Sequence, residues 1–145
     1  MTSPAAVTLH HYQVQVTRDD LDRQGCVDAT VYARWLHHAH DHLLSAGQSC
    51  SDWTCPTTFM AGSLAIDYQI PLRMREDPLW VDTAVLDMAR TRVSVESTLH
   101  DGYRIYARGR SSYIAFSPRE HAPRPLTSVE RTHLRQHAVP STACA

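Results

Sequence analysis

The chain has 145 residues, 43% of them hydrophobic and 20% charged, one domain's worth of an ordinary globular sequence. Its 14 basic and 15 acidic residues leave a formal charge of −1, without the basic excess that nucleic-acid binding needs. All the basic residues are Arg, which excludes Schiff-base and P-loop lysine chemistry; the 10 His make net charge climb as pH drops through about 6.5.

Tyr12, Val14 and Val16 alternate with polar residues over 11–18, the period of a half-buried strand. An acidic, turn-like stretch, Asp19 to Gly25, follows. The clearest helix is expected over 30–46, where Tyr32, Trp35, Leu36, Ala39, Leu43 and Ala46 form one apolar stripe and Gly47 stops it. Arg34, His37, His38 and Asp41 fall on the other side. Residues 48–60 have no periodicity and read as a loop. Strand-like segments then run over 62–75, 79–90, 92–100 and 103–116. The apolar face changes parity near Gly109, which predicts a bulge there. Asp101-Gly102 is a hairpin signal. Pro118, Pro123 and Pro125 end the sheet, and Thr127 with Glu130 has capping-box spacing for a short helix to about 137. The tail from about 138 is expected to be flexible. One helix followed by sequential strands predicts an α+β domain spanning 1–145, with the helix against an antiparallel sheet.

The cysteines Cys26, Cys50, Cys55 and Cys144 lack C-x-x-C spacing, so no zinc knuckle or redox motif is expected. The N-terminal residues carry no basic n-region or apolar h-region, and no apolar run nears the roughly 20 residues that cross a bilayer. A cytoplasmic protein with no membrane partner is the expectation.

The junction Asp20-Leu21-Asp22-Arg23-Gln24-Gly25-Cys26-Val27-Asp28-Ala29-Thr30-Val31-Tyr32-Ala33-Arg34-Trp35 resembles the opening motif of hotdog-fold thioesterases of the 4-hydroxybenzoyl-CoA thioesterase family, with their stand-alone polyketide-pathway relatives. Ile66-Asp67-Tyr68-Gln69-Ile70-Pro71, Ala107-Arg108-Gly109 and Arg124-Pro125 match further, in order. The resemblance implies a five-stranded antiparallel sheet wrapped around one long central helix. It implies hydrolysis of an acyl-CoA or acyl-carrier-protein thioester, needing no cofactor and no metal. It also implies a site between two subunits, hence a homodimer or homotetramer. The chain departs from its relatives in Cys26-Val27-Asp28-Ala29, where many have His-Val-Asn-Asn, and at His40, where they often carry Arg.

Thioester hydrolysis needs a group that activates water or attacks the carbonyl, and donors for the oxyanion. By resemblance Asp22 takes the first role, as base or nucleophile, and the backbone N–H of Ala29 at the helix N-terminus the second. As a bare residue, Asp22 also reads as a turn carboxylate. Gly25 allows the sharp turn. Cys26 and Tyr32 line the substrate site, although Tyr32 equally heads the core stripe. His40 is placed there by its family position. Phe59 and Met60 are expected as pocket wall approaching the partner subunit's site. His38 and His42 stand four apart, but Ala39 replaces the Glu of a metalloprotease motif, so the His cluster reads as a solvated face. Arg104, Arg108 and Arg110, with Arg73 and Arg75, suit phosphates or an acidic carrier protein, or simply an outer face. No G-x-S-x-G elbow exists, which excludes an α/β-hydrolase. The alternatives are a non-catalytic acyl-binding protein and a hotdog dehydratase; the missing motif His argues against the latter.

Overall fold

Residues 8–46 and 58–139 are described by the structure, a computed structural model. Strand β1 (His10–Val14) leads through a 3-10 turn (Arg18–Asp20) to helix α1 (Ala29–Ala46). Strands β2 (Thr58–Tyr68), β3 (Leu79–Met88), β4 (Arg92–His100) and β5 (Ile105–Ser117) follow. A two-residue β6 (Ala122–Pro123) and helix α2 (Ser128–Arg135) complete the order. The sheet runs β1-β3-β4-β5-β2, with β6 on β5, and every strand pair is antiparallel.

Helix α1 forms where its periodicity predicts it. Asp28 opens it, its Oδ1 accepting from Thr30 N at 2.9 Å and Thr30 Oγ1 at 2.6 Å. Those two bonds hold the Asp28 carboxyl below its usual range. Its stripe of Val31, Tyr32, Trp35, Leu36, Ala39, Leu43 and Leu44 is buried against the sheet. The core divides into two apolar clusters, one around Leu36, Val81 and Leu99 and one around Leu43, Val85 and Val95. Buried polar groups join helix to sheet as well: His40 bonds Ser97 Oγ at 2.6 Å and Tyr113 Oη at 2.7 Å, and Ser97 bonds Thr83 at 2.8 Å. Desolvation there pushes the His40 pKa down to about 3, so its imidazole is neutral. Helix α2 begins with the expected capping box: Thr127 Oγ1 accepts from Glu130 N, and the Glu130 carboxylate accepts from Thr127 N.

Several boundaries differ from expectation. The first strand is shorter, and β2 starts at Thr58 and ends at Tyr68, so part of the expected loop is strand and 69–75 is not. The remaining expected loop residues lie outside those described. No bulge occurs at Gly109, where the register with both neighbours runs unbroken. The inward positions are instead Ala107, Gly109, Ser111, Tyr113 and Ala115 throughout. Gly109 and Ser111 give no apolar signal, while Ile114 and Phe116 point to the other face, hence the false change of parity. The irregularities lie between Ala61 and Ser63, Val85 and Asp87, and Leu99 and His100. Ala138 bridges Val85 in parallel, and the rest of the expected tail, residues 140–145, lies outside those described.

Candidate active site

The junction ahead of α1 is a closed turn. Asp22 N donates to Cys26 O at 2.7 Å, Gly25 N donates to Asp22 O at 3.1 Å, and Leu21 bridges Val27. Gly25 has φ of 80°, the left-handed region that glycine adopts without strain. One Asp22 oxygen, Oδ1, accepts from Gln24 N at 2.8 Å and Cys26 N at 3.0 Å, fixing an exposed carboxylate in one orientation. The turn-carboxylate reading of Asp22 is thus met by Oδ1. Asp20 is buried and structural, bonded to Thr17 N, Thr17 Oγ1 and, at 2.6 Å, to Arg34 of α1.

The turn opens on a cleft of about 380 Å³ lined by Asp22, Val27, Ala29, Tyr32, Tyr68, Gln69, Ile70 and Pro71. Its floor is the first turn of α1. With Asp28 taking the Thr30 amide, the Ala29 N–H has no acceptor among the described residues. Tyr32 is buried, and its Oη accepts from Leu72 N at 3.2 Å; burial raises its phenol pKa, so it stays protonated. Tyr68, at the end of β2, packs edge-on against Tyr32 at 5.1 Å and donates its hydroxyl to Ala29 O at 3.1 Å. Two tyrosines from helix and sheet thus make one aromatic wall opposite Asp22. Sequence reasoning did not single out Tyr68, although it lies in the Ile66–Pro71 stretch that carried the resemblance.

The structure brings Asp22, Ala29 and Tyr32 into one cleft, with Gly25 and the half-exposed Cys26 in the adjoining turn. It does not bring His40, Phe59 or Met60 there within one chain. His40 has no exposed surface and belongs to the core network. Phe59 packs on the second apolar cluster under the Arg124 guanidinium. Met60 is 47% exposed. These two sit nine and eight positions from Tyr68 along β2, roughly 25–30 Å at the usual strand rise. Of the expected arginine cluster, Arg108 and Arg110 share the sheet's outer face, Arg110 facing Glu96 at 3.8 Å, and Arg75 is tied to Asp101.

No family model matches the chain, and no curated protein does. Solved structures match over nearly its whole length. A predicted thioesterase from Bacillus stearothermophilus aligns with a TM-score of 0.83 at 17% identity, covering 91% of this chain and 98% of its own. A 1,4-dihydroxy-2-naphthoyl-CoA thioesterase from Synechocystis aligns at 0.76 and 18% identity, covering 88% and 96%. The dynemicin thioesterase, whose structures concern polyene binding, aligns at 0.81 and 16% identity, covering 91% and 99%. Identities this low establish the fold: the chain folds as the hotdog-type thioesterase structures do, and its cleft lies at the helix N-terminus of that fold.

Proposed function

We propose that the chain is an acyl thioester hydrolase acting on acyl-CoA substrates. The observation that carries this reading is the Asp22 carboxylate, held by two backbone amides at the mouth of a cleft that ends on the N-terminus of α1. A thioester carbonyl laid across the cleft directs its oxygen at the Ala29 N–H and the positive end of the helix. As a base, Asp22 Oδ2 takes a proton from the attacking water and returns it to the departing thiolate as the C–S bond breaks. As a nucleophile it attacks the carbonyl carbon and expels the thiolate, and water then hydrolyses the acyl–Asp22 anhydride, freeing the acid, restoring the carboxylate and supplying the thiolate's proton. The tyrosine wall seats the acyl group. The fold shared with a naphthoyl-CoA thioesterase supports CoA as the carrier. The same cleft admits an acyl group on the identical thiol arm of a carrier protein, and the fold shared with the dynemicin thioesterase supports a polyketide-type role. Phe59 and Met60 belong to the reading only through a second copy, in which a partner's β2 lies near this cleft. A reducing, cytoplasmic setting fits the free thiol of Cys26 beside the site.

The test is release of free thiol from acyl-CoAs graded from acetyl to long-chain and aromatic, and from the same acyl groups on a carrier protein. Measurable turnover is expected, and Asp22→Ala should lower kcat at least about a hundredfold with the fold intact. No thiol release from any substrate overturns the hydrolase reading; unchanged turnover in Asp22→Ala overturns the role of Asp22. Single turnover in ¹⁸O-labelled water tests the nucleophilic route: label in Asp22 with an unlabelled acid product identifies an acyl–Asp22 anhydride opened at the Asp22 carbonyl, which a base cannot give.

A further inference from the structure

At the far end of α1 from the cleft, four histidines from three parts of the chain meet where the first and last described segments come together. Strand β1 covers β3 only as far as the pair His10–Thr83. Beyond it the same edge of β3 is taken by the segment after α2: Val85 N donates to His137 O and Val139 N to Val85 O, both at 2.8 Å. The β3 irregularity between Val85 and Asp87 lies at this contact. His137 Nδ1 donates to Thr8 O at 2.6 Å, tying the two segments end to end. His10 Nε2 bonds His42 Nδ1 of α1 at 2.9 Å, and His133 Nε2 donates to Leu43 O at 2.9 Å, on the last carbonyls of α1. The rings of His10 and His42, His10 and His137, and His133 and His137 stand 5.0, 5.8 and 5.5 Å apart. His10 is about nine-tenths buried, and its Nδ1 has no hydrogen-bond partner.

We propose that this histidine junction is a proton-operated latch, closed while the buried His10 is neutral and releasing the segment 136–139 from β3 when it takes a proton. A neutral His10–His42 pair needs one N–H between the two nitrogens; with both rings protonated, two N–H groups face each other and the bond is lost. A charged His10 has nowhere to place its buried Nδ1–H. The charges that bear on it come from His42 on α1, His133 on α2, His137 after it and His11 on β1, all cationic when protonated. Tyr12 lies against the His42 ring. The carboxylate nearest in register, Asp82 of β3, is engaged by His11 and His100 on the sheet face. Burial and those like charges push the His10 pKa down to about 4. With that segment released, His10 is open to solvent and takes up the proton that the closed junction refuses, so opening is favoured as pH falls below about 6.5. A metal ion does not explain the gathering, because no set of three such side chains among the described residues is disposed to hold one.

Amide hydrogen exchange of the full chain, expressed as protection relative to an unstructured chain at the same pH, reads the latch directly. Protection at Val85 and Val139 should lie below that of peptides from β4 (Arg92–His100) at every pH, and should fall at least tenfold between pH 7.5 and 5.5. His10→Gln, which removes the buried imidazole and keeps an amide that can donate to His42 Nδ1, should reduce that fall to less than threefold. Flat protection at Val85 and Val139 overturns the latch, as does protection equal to that of β4 at every pH, or a fall that persists in His10→Gln.

Discussion

Gly109 shows how one atom's absence sets the fit of helix on sheet. A Cβ built there meets Leu36 Cδ1 at 2.6 Å, closer than real contacts allow. Leu36 is fully buried, so its methyl cannot swing into solvent. Gly109→Ala should therefore destabilise the fold by about 1–3 kcal/mol, the usual penalty of overpacking. A lower urea midpoint at unchanged slope would record it; an unchanged midpoint would show that α1 has room to spare. The same residue marks a limit of sequence reading. Pattern analysis works on side chains, and an inward position without one is silent, so the parity of β5 reads falsely from the sequence. Asp22 is the contrary case. Its place near a Gly at a strand-to-helix junction is visible in sequence; that one oxygen, Oδ1, makes both turn bonds needs coordinates. Tyr68 is hidden for another reason. It ends a strand whose alternation looks like ordinary sheet, and only the crossing of β2 past the first turn of α1 makes it a wall.

Helix α1 and strands β3 and β4 are legible because each buries an apolar face, and β5 is legible as a strand though not in its parity. Strand β2 is not, because it buries so little. It pairs only with β5, and residues 60–65 are exposed along with Asp67 and Tyr68. Met60, Leu64 and Tyr68 are 47%, 42% and 50% exposed, and the other edge of this 11-residue strand is unpaired among the described residues. A long edge with apolar side chains on both faces is a template for another strand. A second copy laid along β2 would satisfy its backbone and cover those side chains, giving the homodimer that the proposed site needs. Sedimentation at tens of micromolar should give about 33 kDa, twice the 16.4 kDa of one chain. Leu64→Arg should shift it toward the single-chain mass. A native protein that sediments as one chain at that concentration would rule the pairing out, and with it the reading of Phe59 and Met60 as pocket wall.

The histidines, uninformative one by one in sequence, act together on the whole molecule. His40 and His10 are neutral in the fold, with pKa values pushed to about 3 and about 4 by burial. In the unfolded chain each titrates near 6.5. Above that pH neither state holds the proton, and the stability is fully present. As pH falls below about 6.5 the unfolded chain binds protons that the fold refuses, so stability declines by up to about 1.4 kcal/mol per pH unit for each group. The decline continues toward the folded-state values near 4 and 3. Groups with the opposite shift act lower down. Asp101, held below its usual range by the Arg104 and Tyr103 amides, and Glu130, held down by Arg124, keep their contribution until pH falls below the ordinary carboxylate range. The window from pH 6.5 to about 4.5 therefore belongs to the histidines alone among the groups whose shifts are known. Urea midpoints measured at half-unit steps should be level from pH 8 to 7 and fall steadily from 6.5 to 4.5. Because His10 lies at the junction of the first and last described segments and His40 in the core, Val85 should exchange faster than β4 at every pH of that window. A midpoint that holds or climbs through the window would mean that the unfolded chain gains no protons over the fold. Neither buried imidazole would then be neutral by exclusion of its charge.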